Sequence, residues 1–123
     1  AEDYLETILM LTQRMGRVRS IDVVNELGYT KASVSIAMKK LRENGYIAVD
    51  GEGNLTLLEP GREIAERIYS RHRLLTHFFV QLGVDEQTAA EDACKAEHIL
   101  SEQTLEKIRE SALRNDAAHP QAK

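Results

Sequence analysis

The stretch over residues 18–47, VRSIDVVNELGYTKASVSIAMKKLRENGYI, constrains the fold of this chain more than any other part of it. Ser20 is a good N-cap for IDVVNEL, and Gly28 ends that segment. Thr30 caps a second one, which runs through ASVSIAMKKLREN to Gly45. Val23, Val24, Leu27, Val34, Met38 and Leu41 fall at helical spacing, so the two helices would pack on each other and on whatever precedes them. A short helix, a glycine-containing turn and a polar second helix together form a helix-turn-helix pattern. Directly after it, YIAVD and NLTLLE have strand character and are separated by Gly51, Glu52 and Gly53, whose glycines permit the positive φ of a hairpin turn. The hairpin makes the unit a winged helix-turn-helix, a more specific signature than a helix pair alone.

The flanks are helical in pattern. Upstream, DYLETILMLTQRM places Tyr4, Leu5, Ile8, Leu9 and Leu11 at helical spacing and stops at Gly16. Asp3 and Glu6 project together from its first turn, where the helix dipole favours carboxylates; a solvated acidic start and a ligand pair both fit. Downstream, Pro60 suits a first turn, and GREIAERIYSRHRLLTHFFVQL carries Ile64, Ile68, Leu75, Phe78, Phe79 and Leu82 along an amphipathic helix ended by Gly83. Further helices are expected over 85–100 and 101–113. In the last one, Leu105, Ile108 and Leu113 form a stripe that a small chain scarcely buries alone. The predicted fold is mainly α, with a winged helix-turn-helix over 1–60 and a helical domain over 61–113. The apolar-poor RNDAAHPQAK is expected to form an unpacked tail over 114–123.

With 123 residues, 42% of them hydrophobic and 29% charged, the chain has the composition of a soluble globular protein with room for one compact unit and a helical annex. No apolar run approaches the length of a membrane span, the first residues are acidic rather than a basic leader, and a cytoplasmic location is expected. A net charge of -4 would argue against nucleic acid if it were evenly spread. Between Arg14 and Arg42, however, seven Lys or Arg stand against Asp22 and Glu26, a local balance of +5. From Leu74 onward five basic residues stand against nine acidic ones.

In DACKAEHILS, Cys94, Glu97 and His98 fall at i, i+3 and i+4. On a helix that spacing puts thiol, carboxylate and imidazole on one face, within reach of a single divalent ion, and so mixed a donor set suggests a transition metal. The single cysteine cannot form an intramolecular disulfide, and its place beside Glu97 and His98 favours a ligand over a core residue or a reactive thiol.

EDYLETILML, the winged helix-turn-helix, YSRHRLL and DACKAEH stand in the order and at the distances of the metal-responsive transcriptional repressors of the diphtheria toxin repressor and manganese transport regulator family. The chain resembles that family over about residues 2 to 112. The resemblance implies that Asp3 and Glu6 are carboxylate ligands, as in the manganese-sensing branch, and that His72 is a ligand used by both branches. Cys94, Glu97 and His98 look like the trio of the iron-sensing branch. Where that branch's ancillary site has a glutamate and a second histidine, this chain has Thr76 and Ala90, which puts that site in doubt. The length implies that the SH3-like domain of longer relatives is missing.

The donors combine into one expected site of Asp3, Cys94, Glu97 and His98 and a second shared by Glu6, His72 and Glu97. This ligation suits Fe(II) or Mn(II), with Co(II), Ni(II) or Zn(II) able to enter in vitro. Thr30, Lys31, Ser33 and Ser35 are expected to meet base edges and phosphates of DNA, while Lys39, Lys40 and Arg42 touch phosphates. Thr30 and Ser33 would equally serve as caps. The wing over 51–54 carries Glu52 and no positive charge, which makes it a poor phosphate clamp. The expected function is metal-activated repression by a homodimer on a palindromic operator, without enzymatic activity. A metal-dependent hydrolase and a winged-helix regulator answering to redox at Cys94 or to a small ligand are the alternatives.

Overall fold

The computed structural model describes residues 2–118. Its elements in chain order are α1 (Glu2–Met15), α2 (Ser20–Leu27), α3 (Lys31–Glu43), β1 (Ile47–Val49), β2 (Leu55–Leu57), α4 (Glu59–Gln81), α5 (Glu86–Ala96) and α6 (Glu102–Ala118). The chain divides into two compact units, Ala1–Ile68 and Tyr69–Lys123, with the division inside α4 rather than at its start. α6 extends past 113 into the stretch expected as a tail, and the remainder of that stretch, 119–123, lies outside the described residues.

In the first unit, Leu5, Ile8 and Leu9 of α1, Val23 of α2 and Val34 and Met38 of α3 are all buried, as their spacing predicts. Gly28 takes the left-handed conformation (φ 73°) that ends α2, and its N–H bonds the Val24 carbonyl. The turn then delivers Tyr29, whose ring meets Tyr4 of α1 edge to face at 5.9 Å between centroids. At the start of α2 the expected cap shifts by one residue. Arg19 occupies the N-cap position, its N–H bonds the Asp22 carboxylate at 2.9 Å, and Ser20 is already helical. Asp22, at the third helical position, receives the N-cap residue's own N–H, the reciprocal bond of a capping box, rather than capping the helical N–H groups as Ser20 was expected to do.

β1 and β2 form an antiparallel hairpin in register Ile47↔Leu57, Ala48↔Thr56, Val49↔Leu55. Its turn is organised by Asp50, whose carboxylate accepts from the backbone N–H of Glu52 and of Asn54 and from the Asn54 side chain. Those bonds, chiefly the ones from Asn54, hold the carboxyl below the usual aspartate value. An isolated bridge ties the hairpin to the segment before α2: Leu55 N–H bonds the Val18 carbonyl at 2.7 Å, and Arg19 bridges Asn54. At the hairpin's far end, Leu58 N–H bonds the Tyr46 carbonyl. α4 starts against the same carbonyl, so close that a Cβ on Gly61 would lie 2.2 Å from the Tyr46 oxygen. Only glycine fits there.

In the second unit, Leu75 of α4, Ala93 of α5 and Leu105 of α6 make the buried centre, with Leu74, Phe79, Leu100 and Ile108 packed around it. Asp85 caps α5 by accepting from the Thr88 N–H and hydroxyl, which lower its pKa. Ser101 caps α6 through the Thr104 N–H, and Arg71 of α4 pairs with Glu102 at the start of α6.

α5 departs from the expected helix over 85–100. It ends at Ala96, Glu97 is its C-cap (φ -61°, ψ -23°), and the chain turns through bonds from Ile99 and Leu100 N–H to the Ala96 carbonyl. The early stop frees the chain to reach the Ser101 cap and reverse into α6.

Candidate metal centre and DNA-reading surface

The turn after α5 decides how the expected metal trio is displayed. Glu97 goes inward and is 2% exposed, while Cys94, in the last turn of α5, and His98, beyond its end, are on the surface. The i, i+3, i+4 spacing thus falls across the end of α5: Cys94 lies within the helix, Glu97 caps it with φ and ψ still helical, and His98 lies beyond it. What the second unit brings together is Glu97 and His72 of α4: a carboxylate oxygen of the one and a ring nitrogen of the other lie within 4.8 Å.

His72 is held in a manner suited to ligation. Its Nε2 donates to the Ala90 carbonyl of α5 at 3.1 Å, which fixes the ring and its tautomer and makes Nδ1 the ring atom able to bind a metal. Thr76, one turn on, donates its hydroxyl to the His72 carbonyl at 2.8 Å. The two positions at which the iron-sensing branch has ancillary ligands thus hold His72 in place instead.

In the first unit the two α1 carboxylates differ. Glu6 is buried at 7% exposure and Asp3 is exposed. A carboxylate with so little access to water requires a compensating partner or cation. The residues present fit a divalent ion, since buried carboxylate oxygen beside an oriented imidazole nitrogen is the hard and borderline donor mixture that Mn(II) and Fe(II) accept.

The residues expected to meet DNA lie on α3 and its cap. Thr30, Lys31, Ser33, Ser35, Lys39, Lys40 and Arg42 are all exposed. Thr30 and Ser33 are engaged with each other: Ser33 N–H bonds Thr30 Oγ1 at 3.1 Å, and that hydroxyl donates to Ser33 Oγ at 2.9 Å. Both serve as the cap.

Sequence reasoning missed Arg19. Its bridge to Asn54 lays it along the hairpin turn, with guanidinium Nε 3.4 Å from where a Cβ on Gly53 would be. The wing accordingly has a cation beside Gly53, although 51–54 has none of its own. A one-residue bridge leaves no periodic signal, which is why the pattern did not show it.

Comparisons with known proteins identify the family. Residues 1–55 match the family described as the iron dependent repressor, N-terminal DNA binding domain, and residues 58–120 match the iron dependent repressor, metal binding and dimerisation domain. The chain belongs to the iron-dependent repressor family, a class of metal-dependent transcriptional repressors. It is 36% identical over 110 residues to an uncharacterized HTH-type transcriptional regulator of Methanocaldococcus jannaschii, covering 88% of each chain. It is 34% identical to the HTH-type transcriptional regulator MntR of Bacillus subtilis over 87% of this chain and 75% of that one. Among solved structures, a manganese-dependent transcriptional repressor in complex with manganese superposes with a TM-score of 0.82 at 27% identity, over 90% of this chain and 51% of that one. The chain thus spans about half the length of that solved relative. No helix among the described residues is long and apolar enough to cross a membrane.

Proposed function

We propose that this chain is a repressor activated by Mn(II) or Fe(II), which binds a palindromic operator as a homodimer. The observation that carries the reading is the buried Glu97 carboxylate beside the His72 ring, whose Nε2 is committed to the Ala90 carbonyl. His72 and Glu97 would hold the ion, with the buried Glu6 of α1 as a further donor. Asp3, Cys94 and His98, at the surface, with Glu97, would be the donors of the other proposed site. Bound there, a divalent cation supplies the positive charge that lets several carboxylates converge.

The chain's own groups do the rest. Glu97 and Glu6 offer oxygens that water reaches poorly, so their affinity for a cation exceeds that of exposed acids. The Ala90 bond keeps the His72 ring from turning away. Shifting a two-state population from about 1:99 to 99:1 takes roughly 5.5 kcal/mol of differential binding, within the capacity of several ligands that converge in one state only. The basic face of α3 then meets the duplex, with Lys39, Lys40 and Arg42 on phosphates. The kinship with MntR and with a manganese-dependent repressor supports manganese as one physiological candidate, and Cys94 supports iron as the other. For dimerisation, Leu82, Ile99 and Leu113 of the second unit are 66%, 81% and 63% exposed, an apolar surface of the kind subunit contacts use.

Gel-shift titrations with and without Mn(II) and Fe(II), on the wild type and on Glu97→Ala, test the reading. Tight binding only with metal, and only in the wild type, is expected. Equal operator affinity in all conditions would overturn it.

A further inference from the structure

The outward face of α3 carries an apolar group where a DNA-reading helix ordinarily carries polar ones. Val34, Met38 and Leu41 fix the buried side of α3. The opposite side is the stripe Ala32, Ser35, Ile36, Lys39 and Glu43, at i, i+3, i+4, i+7 and i+11, and all five are exposed. Ile36 stands in the middle of that stripe and is 59% exposed, more than the other large apolar residues in the first unit. A β-branched residue at an exposed helical position does nothing for the helix, since Ala or Lys would favour it more.

The polar candidates for base recognition are few. Between Lys31 and Met38 there is no Arg, Asn or Gln, the residues whose forked donors pair bidentately with guanine or adenine. Thr30 and Ser33 are tied to each other in the cap. Asn44, past the end of the helix, donates its side-chain amide to the Lys40 carbonyl. Ser35 remains, and a hydroxyl donates and accepts equally well, so it discriminates weakly.

Meanwhile Lys31, Lys39, Lys40 and Arg42 surround the apolar centre with positive charge. An apolar island within a cationic rim matches one surface in particular, a major groove with phosphates on both sides and thymine C5-methyl groups on its floor. We propose that Ile36, with Ala32 beside it, reads thymine methyl groups, so that apolar contact rather than hydrogen bonding supplies much of the direct discrimination on the first two turns of α3. The inference rests on the repressor reading above and adds the base class its helix selects.

The test uses the full chain with Mn(II). Binding sites are selected from a pool of random-sequence duplex DNA, and in the best of them each thymine in turn is replaced by uracil. That change deletes one methyl and keeps every hydrogen-bonding group. For the wild type, uracil at one or two symmetry-related positions is expected to weaken binding about four-fold per methyl, the factor that burying one such group is worth. Ile36→Ala should bind the thymine site more weakly and lose that uracil sensitivity, while Ile36→Val keeps part of it. Circular dichroism melting checks that both variants fold, as the exposure of Ile36 leads one to expect.

Indifference of the wild type to every uracil would overturn the inference and leave the repressor reading intact. An unchanged uracil profile in Ile36→Ala and Ile36→Val would overturn it too. Failure of the wild type to select any sequence with metal present would overturn both.

Discussion

The two compact units differ in where their polar groups find partners. In the first, the ends of the elements close on themselves within a few residues: Thr30 with Ser33, Arg19 with Asp22, and Asp50 with Glu52 and Asn54. In the second, the helix ends close in the same way, Asp85 on Thr88 and Ser101 on Thr104, but the buried Glu97 carboxylate lies beside the His72 ring, and Leu82, Ile99 and Leu113 are 66%, 81% and 63% exposed. The first unit presents a basic helix on locally capped elements, whereas the second presents a buried carboxylate beside an imidazole and the three most exposed large apolar side chains among the described residues. A sensor requires that division, because the element that reads must keep its shape while the element that senses must have something to gain.

The largest effect should come from the sensing unit. Glu97→Ala is expected to lower Mn(II) affinity by about 100-fold, measured by calorimetry on protein whose melting curve shows it folded. Unchanged affinity would place the centre elsewhere and dissolve the contrast. Next, Gly61→Ala should destabilise the reading unit by about 1–3 kcal/mol in denaturant melts, since the new Cβ meets the Tyr46 carbonyl and neither backbone yields cheaply. A neutral result would show the first unit to be more pliant than its bonding suggests.

Third, Ile99→Ser together with Leu113→Ser should weaken self-association about ten-fold or more in sedimentation runs while leaving unfolding of the monomer unchanged. Thr30→Ala should then cost about 1 kcal/mol, a typical capping loss. The smallest effect concerns Asp50. Its folded pKa is lowered by the Asn54 and Glu52 bonds, so the stability it adds is fully present above the unfolded value of 3.8 and is lost as the pH falls through the folded value. Asp50→Asn should therefore differ from wild type at neutral pH and converge with it in acid, as read by melts across pH 2 to 6.

The reading unit was largely legible in the sequence because its signals are local. The spacing of Val23, Val34, Met38 and Leu41, the glycine after α2 and the cap at Thr30 each act within one turn of chain. The sensing unit was legible in residue type more than in placement. Cys94, Glu97 and His98 stand out as donors, yet their spacing implies one helical face only if α5 continues, and whether it does is decided by the Ser101 cap and the reversal into α6. Likewise, nothing around Thr76 or Ala90 announces that one will hold His72 by its carbonyl and the other by its ring, since both bonds use groups that carry no sequence signature. The same holds for Arg19 at the wing, which depends on a single long-range bridge.

That bridge gives the reading unit a mechanical property. Between the end of α1 at Met15 and the hydrogen bond of Val18 to Leu55 there are only Gly16 and Arg17, a leash of some 10 Å at full stretch. Gly16, at φ 87°, is the compliant link in it. Any slide of the first helix along its axis beyond what that joint absorbs must pull on the hairpin, so α1 and the wing are coupled by traction through the main chain itself, in addition to the direct packing of α1 on β2.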